Sequence, residues 1–253
     1  MSQPHPNAVL LTATVVPPPD ARNLARRDAQ LRLQDYLQAF DFYLAELRRN
    51  AFDVLVLCEN SGHDLAPFAA RAQDAGLAHR VELIGHFGLD HPARHGRGYG
   101  EFKLVDHAMQ HSALIEALGP QALVWKLTGR YRVHNLAQLI ATQPPQADLY
   151  CHCRNFPSRW LDMYLMRWNR RAYEQLIRGV YRQLRQDETP TSAEQHFRAL
   201  IDRYDGELHI VRRFAQVPRI DGVRGFDNRD YGAMRRKHLA RVMAQRLAPW
   251  IWI

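Results

Sequence analysis

The residues best suited to chemistry stand at the ends of apolar runs. VWKLTGRYRV, from Val124 to Val133, places Lys126, Thr128, Gly129, Arg130 and Tyr131 where a buried-looking strand stops. Two cations, a hydroxyl and a glycine at such a tip suit an anion. Two further polar clusters follow apolar runs: Thr12 to Thr14 with Arg27 beyond, and Glu59-Asn60-Ser61-Gly62. In open parallel sheets ligands collect outside the carboxyl ends of the strands, so three such clusters point to one place. GRGYGE, residues 96–101, is a fourth candidate. Its glycines let a backbone turn tightly. A helix starting at about Glu101 would aim free N–H groups back at the loop, and Arg97 adds charge, so Arg97, Gly98, Gly100 and Glu101 suit a phosphate. The spacing matches neither the dinucleotide fingerprint nor a Walker loop.

No nucleophile announces itself, because GxSxG, HExxH and CxxC are all absent. Two carboxylates are the candidates for proton transfer. Glu194 opens the helical stretch SAEQHF, where Ser192 or Thr191 offers a cap and an early glutamate also suits the helix dipole. Asp221 lies in RIDGVRGFDNRD, a glycine-rich loop with arginines beside it. No DxD occurs, so a carboxylate-held divalent metal is not expected and no cofactor is required.

The elements that must position these groups follow from periodicity. AVLLTATVV (8–16) is nearly continuous in apolar character, as a strand buried on both faces should be. Leu33, Leu37, Phe40, Leu44 and Leu47 recur at helical spacing and predict a helix over 29–49. FDVLVLCENSG and VELIGHFG are further strands, with a short helix in DLAPFAARAQDAG. After the glycine-rich loop a helix of about eighteen residues is expected, carrying Phe102, Val105, Met109, Ile115 and Leu118. ALVWKL and ADLYCHC are the fourth and fifth strands. Residues 160–184 read as aromatic-rich helix, 207–220 as strand, and the tail from Tyr231 as helix. Alternating strands and helices imply crossover connections and an α/β fold with a mainly parallel, Rossmann-like sheet. No repeat or linker divides the chain, so residues 1–253 read as a single domain with a helical tail over 231–253.

Composition narrows the function classes. The chain has 253 residues, 46% of them apolar, which is enough for a substantial core. Its net charge of +8 suits nucleic acid, anionic lipid or phosphorylated small molecules. Three cysteines do not make a disulfide framework; Cys58, Cys151 and Cys153 read as buried thiols of a reducing compartment. No apolar run is long enough to span a membrane, and the N-terminal run reads as a first strand, not a signal peptide. In the tail, Leu239, Val242, Met243, Leu247 and Trp250 share one side, with Arg235, Arg236, Lys237, Arg241 and Arg246 around the others. Such a helix either packs on the sheet or lies on an anionic membrane surface.

The segments LTAT, ENSG, GRGYGE and WKLTGRYRVHN together resemble the bacterial glycosyltransferases of surface-polysaccharide clusters. Those carry a KGxGE-like segment and then K-[IL]-T-G-R-Y-x-[IV]-x-N. The likeness covers roughly residues 9–140, with KLTGRY its most specific part and Arg97 standing where lysine is usual. It implies a GT-A-like fold, a nucleotide-sugar donor, and a polysaccharide or lipid-linked glycan acceptor in capsule or lipopolysaccharide synthesis. By position it would place Glu59, Asn60, Gly98, Gly100, Glu101, Lys126, Thr128, Gly129, Arg130 and Tyr131 around the donor. The polar clusters add Thr12, Arg27 and Arg97 to that set, and the two cations at the strand tip, Lys126 and Arg130, are expected on the diphosphate. A cytoplasmic enzyme, peripheral on the inner membrane through its tail, is the corresponding expectation. The alternatives are a basic nucleic-acid-binding or RNA-modifying protein, which the charge and Tyr164, Trp168 and Tyr173 suggest, and a non-catalytic scaffold of glycan assembly. No RNP-like, zinc-finger or KH signature supports nucleic acid as a partner.

Overall fold

Four strands set the frame: β1 (Asn7–Ala13), β2 (Val54–Glu59) and β4 (Leu123–Thr128), buried along most of their length, and the half-buried β3 (Val81–Gly85). They run parallel in the order β3-β2-β1-β4. The computed structural model describes residues 5–21, 23–189, 191–232, 235–248 and 250–253, without the side chains of 235–237. The register aligns Thr12 with Thr128 on one side and Ala13 with Glu59 on the other. The polar clusters seen in the sequence therefore share one sheet edge.

Alternation divides the apolar residues between two cores. Leu10, Val56 and Val124 face α3 (Arg97–His111) and α7 (Ala193–Arg203), where Phe102, Val105 and Phe197 fill the space. Val9, Leu11, Leu57 and Leu127 face α1 (Ala29–Arg48) and α2 (Ala66–Asp74), meeting Phe40, Tyr43 and Phe68. α1 begins at an Asp28 cap whose side chain accepts from the Leu31 N–H, and it ends within one residue of the expected boundary.

The second half departs from expectation. Residues 160–168 form a strand, β7 (Trp160–Trp168), instead of helix. It is antiparallel both to β4 and to β6 (Leu149–Arg154). Apolar and aromatic side chains fill both of its faces, and such a run has no period that separates strand from helix. Only the turns after it, from α6 (Arg170–Ala172) to Gln183, are helical. The strand expected over 207–220 shrinks to β8 (Ile210–Val211), which pairs with β6, and β9 (Ile220–Asp221). β9 pairs with β5 (Arg132–Val133) in a separate ribbon; the short α5 (Leu136–Ala141) follows β5. The sheet order is β3-β2-β1-β4-β7-β6-β8, so the expected α/β class and mainly parallel sheet are present, with β7 as the antiparallel member.

The glycine-rich segment also differs. Its helix begins at Arg97, not Glu101, and the long helix expected there is α3 followed by a separate α4 (Ala113–Ala117) capped by Ser112. Gly98 is needed for packing: a β-carbon there would sit 2.3 Å from that of Ala193, so the N-termini of α3 and α7 touch only because the side chain is absent. All three cysteines are buried and unbridged. The last helix, α8, is Arg235–Leu247. Among the described residues no helix is long and apolar enough to cross a membrane. The expected charges at Arg235, Arg236 and Lys237, like Pro249, lie outside the described side chains and residues.

Candidate functional site

A cavity of about 1320 Å³ opens over the carboxyl ends of β1 and β4. Its floor is a polar knot. Glu101 in α3 accepts from Thr12 (3.1 Å), Thr128 (2.8 Å) and the Lys126 ammonium (2.5 Å). Lys126 also donates to the Met163 carbonyl at 2.6 Å and is fully buried. Burial works against the Glu101 charge, but Lys126 and the two hydroxyls outweigh it and hold the carboxyl below its ordinary value. Burial pulls the lysine down as well, with Glu101 opposing.

Lys126 was expected at the donor diphosphate, and here the structure corrects the sequence. Its alternation on β4 turns it under the floor, where Glu101 uses its charge, and it does not line the cavity. Three other expected donor residues also lie outside the lining. Glu59 is fully buried and holds the loops, accepting from the N–H groups of Val15 (2.9 Å), Ser61 (3.0 Å) and His63 (3.0 Å). Gly129 lets its turn close on β1: its N–H reaches the Thr12 carbonyl at 2.9 Å, and a β-carbon would meet that same oxygen at 2.9 Å. Arg27 points away, donating to the Pro19 carbonyl at 2.8 Å and to that of Ala21.

The remaining expected residues line the cavity: Thr12, Asn60, Arg97, Gly98, Gly100, Glu101, Thr128, Arg130 and Tyr131. Asn60 is fixed by Thr14, whose hydroxyl donates to it at 2.6 Å. Arg130 is buried, donates to the Val223 carbonyl at 2.7 Å and leaves its Nε without a partner. Arg97 is exposed and makes no hydrogen bond or ion pair among the described residues. It stands in the first turn of α3, which has no side-chain cap, so its backbone N–H groups are free of intrahelical partners. Arg32 escaped the sequence reading because it lies among helical residues at the start of α1. It is buried with its guanidinium on the carbonyls of Thr14 (2.9 Å) and Arg26 (3.1 Å), and burial and the neighbouring Arg130 and Arg97 charges lower its pKa, though Tyr36 opposes.

Both candidate proton acceptors line the cavity. Ser192 caps α7, as expected, in a complete capping box with Gln195, and Glu194 stands in the first turn of that helix. Burial pushes the Glu194 carboxyl above its ordinary value; Arg97 opposes this and Glu101 adds to it. Asp221 is already engaged, accepting from Arg132 at 2.6 Å with His134 3.6 Å away. Asp162, on β7, escaped the sequence reading along with its strand. It is buried, binds Arg154 through both oxygens, and accepts from Tyr164 at 3.2 Å. Tyr131, Tyr164 and Tyr231 form an aromatic cluster in the same wall.

The lining holds seven arginines (Arg32, Arg97, Arg130, Arg154, Arg219, Arg224 and Arg241) against four carboxylates (Glu101, Asp162, Glu194 and Asp221). Three of those four are ion-paired, which leaves Glu194 as the unpaired acid in an electropositive cavity. Among the described residues no three His, Cys, Asp or Glu side chains gather as a metal ion would require.

The tail closes one side. His238 and Arg241 of α8 line the cavity, whereas Leu239, Met243 and Leu247 are exposed on the outside, followed by exposed Trp250. Trp252 instead packs against the core, and its carbonyl accepts from Asn155 (2.8 Å) and Phe156 (3.0 Å).

No family model matches the chain, and no curated protein does. Among solved structures, one similar chain is a provisionally assigned nucleotide-diphospho-sugar transferase from Desulfovibrio desulfuricans G20. It is 14% identical, the likeness covers 81% of this chain and 78% of that one, and the TM-score is 0.47. That likeness is one of fold and carries no argument about activity.

Proposed function

We propose that this protein is a glycosyltransferase that moves a sugar from a nucleotide-sugar donor to a hydroxyl of a polysaccharide or lipid-linked glycan acceptor. The observation that carries this reading is one unpaired carboxylate of raised pKa facing unpaired guanidinium and an uncapped helix N-terminus in one cavity. Arg97, Arg130 and the α3 N–H groups hold the diphosphate, whose negative charge grows as it leaves. Glu194 takes the acceptor hydroxyl's proton while the acceptor oxygen bonds to the sugar's anomeric carbon. The bond from that carbon to the phosphate oxygen breaks, and nucleoside diphosphate departs with the electron pair. Glu194 is preferred to Asp221 because Arg132 already neutralises Asp221. The KLTGRY and GRGYGE segments support the narrower acceptor class, that of surface polysaccharide.

Donor binding is proposed to need no divalent metal, since Glu101, Asp162 and Asp221 are each committed to a cation of the chain. Calorimetric titration with UDP, GDP and CDP tests both points. The preferred nucleotide should bind equally with EDTA. R97A and R130A should each weaken it by about tenfold or more, the worth of one charge-assisted hydrogen bond. Affinity lost to EDTA and restored by manganese would overturn the metal-free reading. Unchanged affinity in both variants would remove these arginines from the donor site.

A peripheral membrane position is part of the proposal. The exposed stripe Leu239-Met243-Leu247 beside exposed Arg246 fits an anionic lipid surface, apolar against acyl chains and cationic against headgroups. The full chain should co-sediment with anionic vesicles and much less with neutral ones, and L239S/L247S should abolish this without altering nucleotide affinity. Self-association of the full chain, lost in that variant with no vesicle binding, would make the stripe a dimer face.

A further inference from the structure

We infer that the far pole of the same cavity is a second anion subsite, formed by Arg219, His238 and Arg241, that holds a phosphate group carried by the acceptor. This deepens the transferase reading, on which the word acceptor rests. Arg219 directly precedes β9, and His238 and Arg241 are three residues apart in α8, hence on one helix face. All three line the cavity.

Neither Arg219 nor Arg241 has a side-chain hydrogen bond or ion pair among the described residues. Many arginines elsewhere are paired to a carboxylate, as Arg26 is to Asp35 and Arg198 to Asp202. Two cavity carboxylates are already taken: Asp162 by Arg154 and Tyr164, Asp221 by Arg132. Burial and then the two arginine charges lower the His238 pKa, so its ring is neutral near pH 7 and donates one N–H. Two open guanidinium forks and one imidazole donor match the several oxygens of a phosphate. Held without an anion, the cluster is self-repelling; a bound phosphate relieves that repulsion.

This pole differs from the one proposed for the donor in its neighbours. Tyr131 lies in the field of Arg130 and Arg97, whereas Tyr164 lies in that of Arg154 and Arg241. Tyr131 and Tyr164 are joined in one aromatic cluster, their ring centroids 6.2 Å apart, which offers aromatic surface to a sugar. Glu194 belongs to the donor side, in the field of Arg97. An acceptor would thus be held by its phosphate at one end and present its hydroxyl at the other.

The test uses the full chain saturated with its preferred nucleoside diphosphate and titrated with a hexose 6-phosphate. The wild type should bind it, and R219Q/R241Q should bind it about tenfold or more weakly while nucleotide affinity changes less than about twofold. R97Q should show the opposite pattern. Equal loss of nucleotide and hexose phosphate in R219Q/R241Q would assign both arginines to one diphosphate site and overturn the inference. Unchanged hexose phosphate binding would overturn it too. A parallel arm uses neutral vesicles doped with phosphatidic acid or, at matched charge, phosphatidylserine. Selective recruitment by phosphatidic acid, lost in R219Q/R241Q, identifies a lipid phosphate as the source. Failure of any phosphate probe to bind the wild type ends the inference. Failure of nucleotides alone, with phosphate binding still lost in R219Q/R241Q, ends only the donor reading.

Discussion

Glu194→Gln should lower turnover by roughly 10² or more while leaving nucleoside diphosphate affinity near the wild-type value, because the amide keeps the shape and cannot accept the proton. The geometry makes a second, separable demand. Burial raises the Glu194 pKa, so the folded protein favours its neutral form. Ionising it at neutral pH therefore costs stability, and the uncharged amide should leave the variant at least as stable as the wild type. A residue kept only for the fold would show the reverse. The acid limb of the turnover–pH profile should fall at a pH above that of an ordinary glutamate, since the base must be ionised to act. Near-normal turnover in Glu194→Gln would return the role to Asp221 or Glu101.

Lys126→Ala should cost about 3–5 kcal/mol of folding stability, because it strands the Glu101 carboxylate against a buried floor. Lys126 is fully enclosed and the Glu101 side chain is only 23% exposed, so solvent replaces the lost charge poorly. Denaturant unfolding measures the loss, and E101Q/K126M should recover much of it by removing both charges together. The pH dependence has a definite sign. Glu101 has a lowered pKa in the folded state, so its contribution is present above the ordinary glutamate value and lost as pH falls through the folded one. E101Q/K126M should lack that acid-side loss. A Lys126→Ala protein as stable as the wild type, with weakened nucleotide binding, would put the lysine back at the diphosphate.

Residue spacing alone specified most elements of the first half and the edge their polar ends share. A helical period in Leu33-Leu37-Phe40-Leu44-Leu47 gave α1 to within a residue, and near-continuous apolar runs gave β1, β2 and β4. Parallel strands of similar length end together, which is why polar residues after three separate runs meet over one cavity. These are short-range properties, carried by spacing within a dozen residues. Which charged groups remain free depends on long-range packing. Lys126 and Arg97 look alike in the sequence, yet Lys126 is neutralised by Glu101, 25 residues away, while Arg97 lines the cavity without a partner. Asp162 and Arg154 entered the site only because β7 is a strand between β4 and β6, and Arg241 because α8 folds back over the cavity. Ion pairing depends on distances of a few ångströms between residues far apart in the chain, and burial then fixes the cost of each unpaired charge; neither quantity is present in residue spacing.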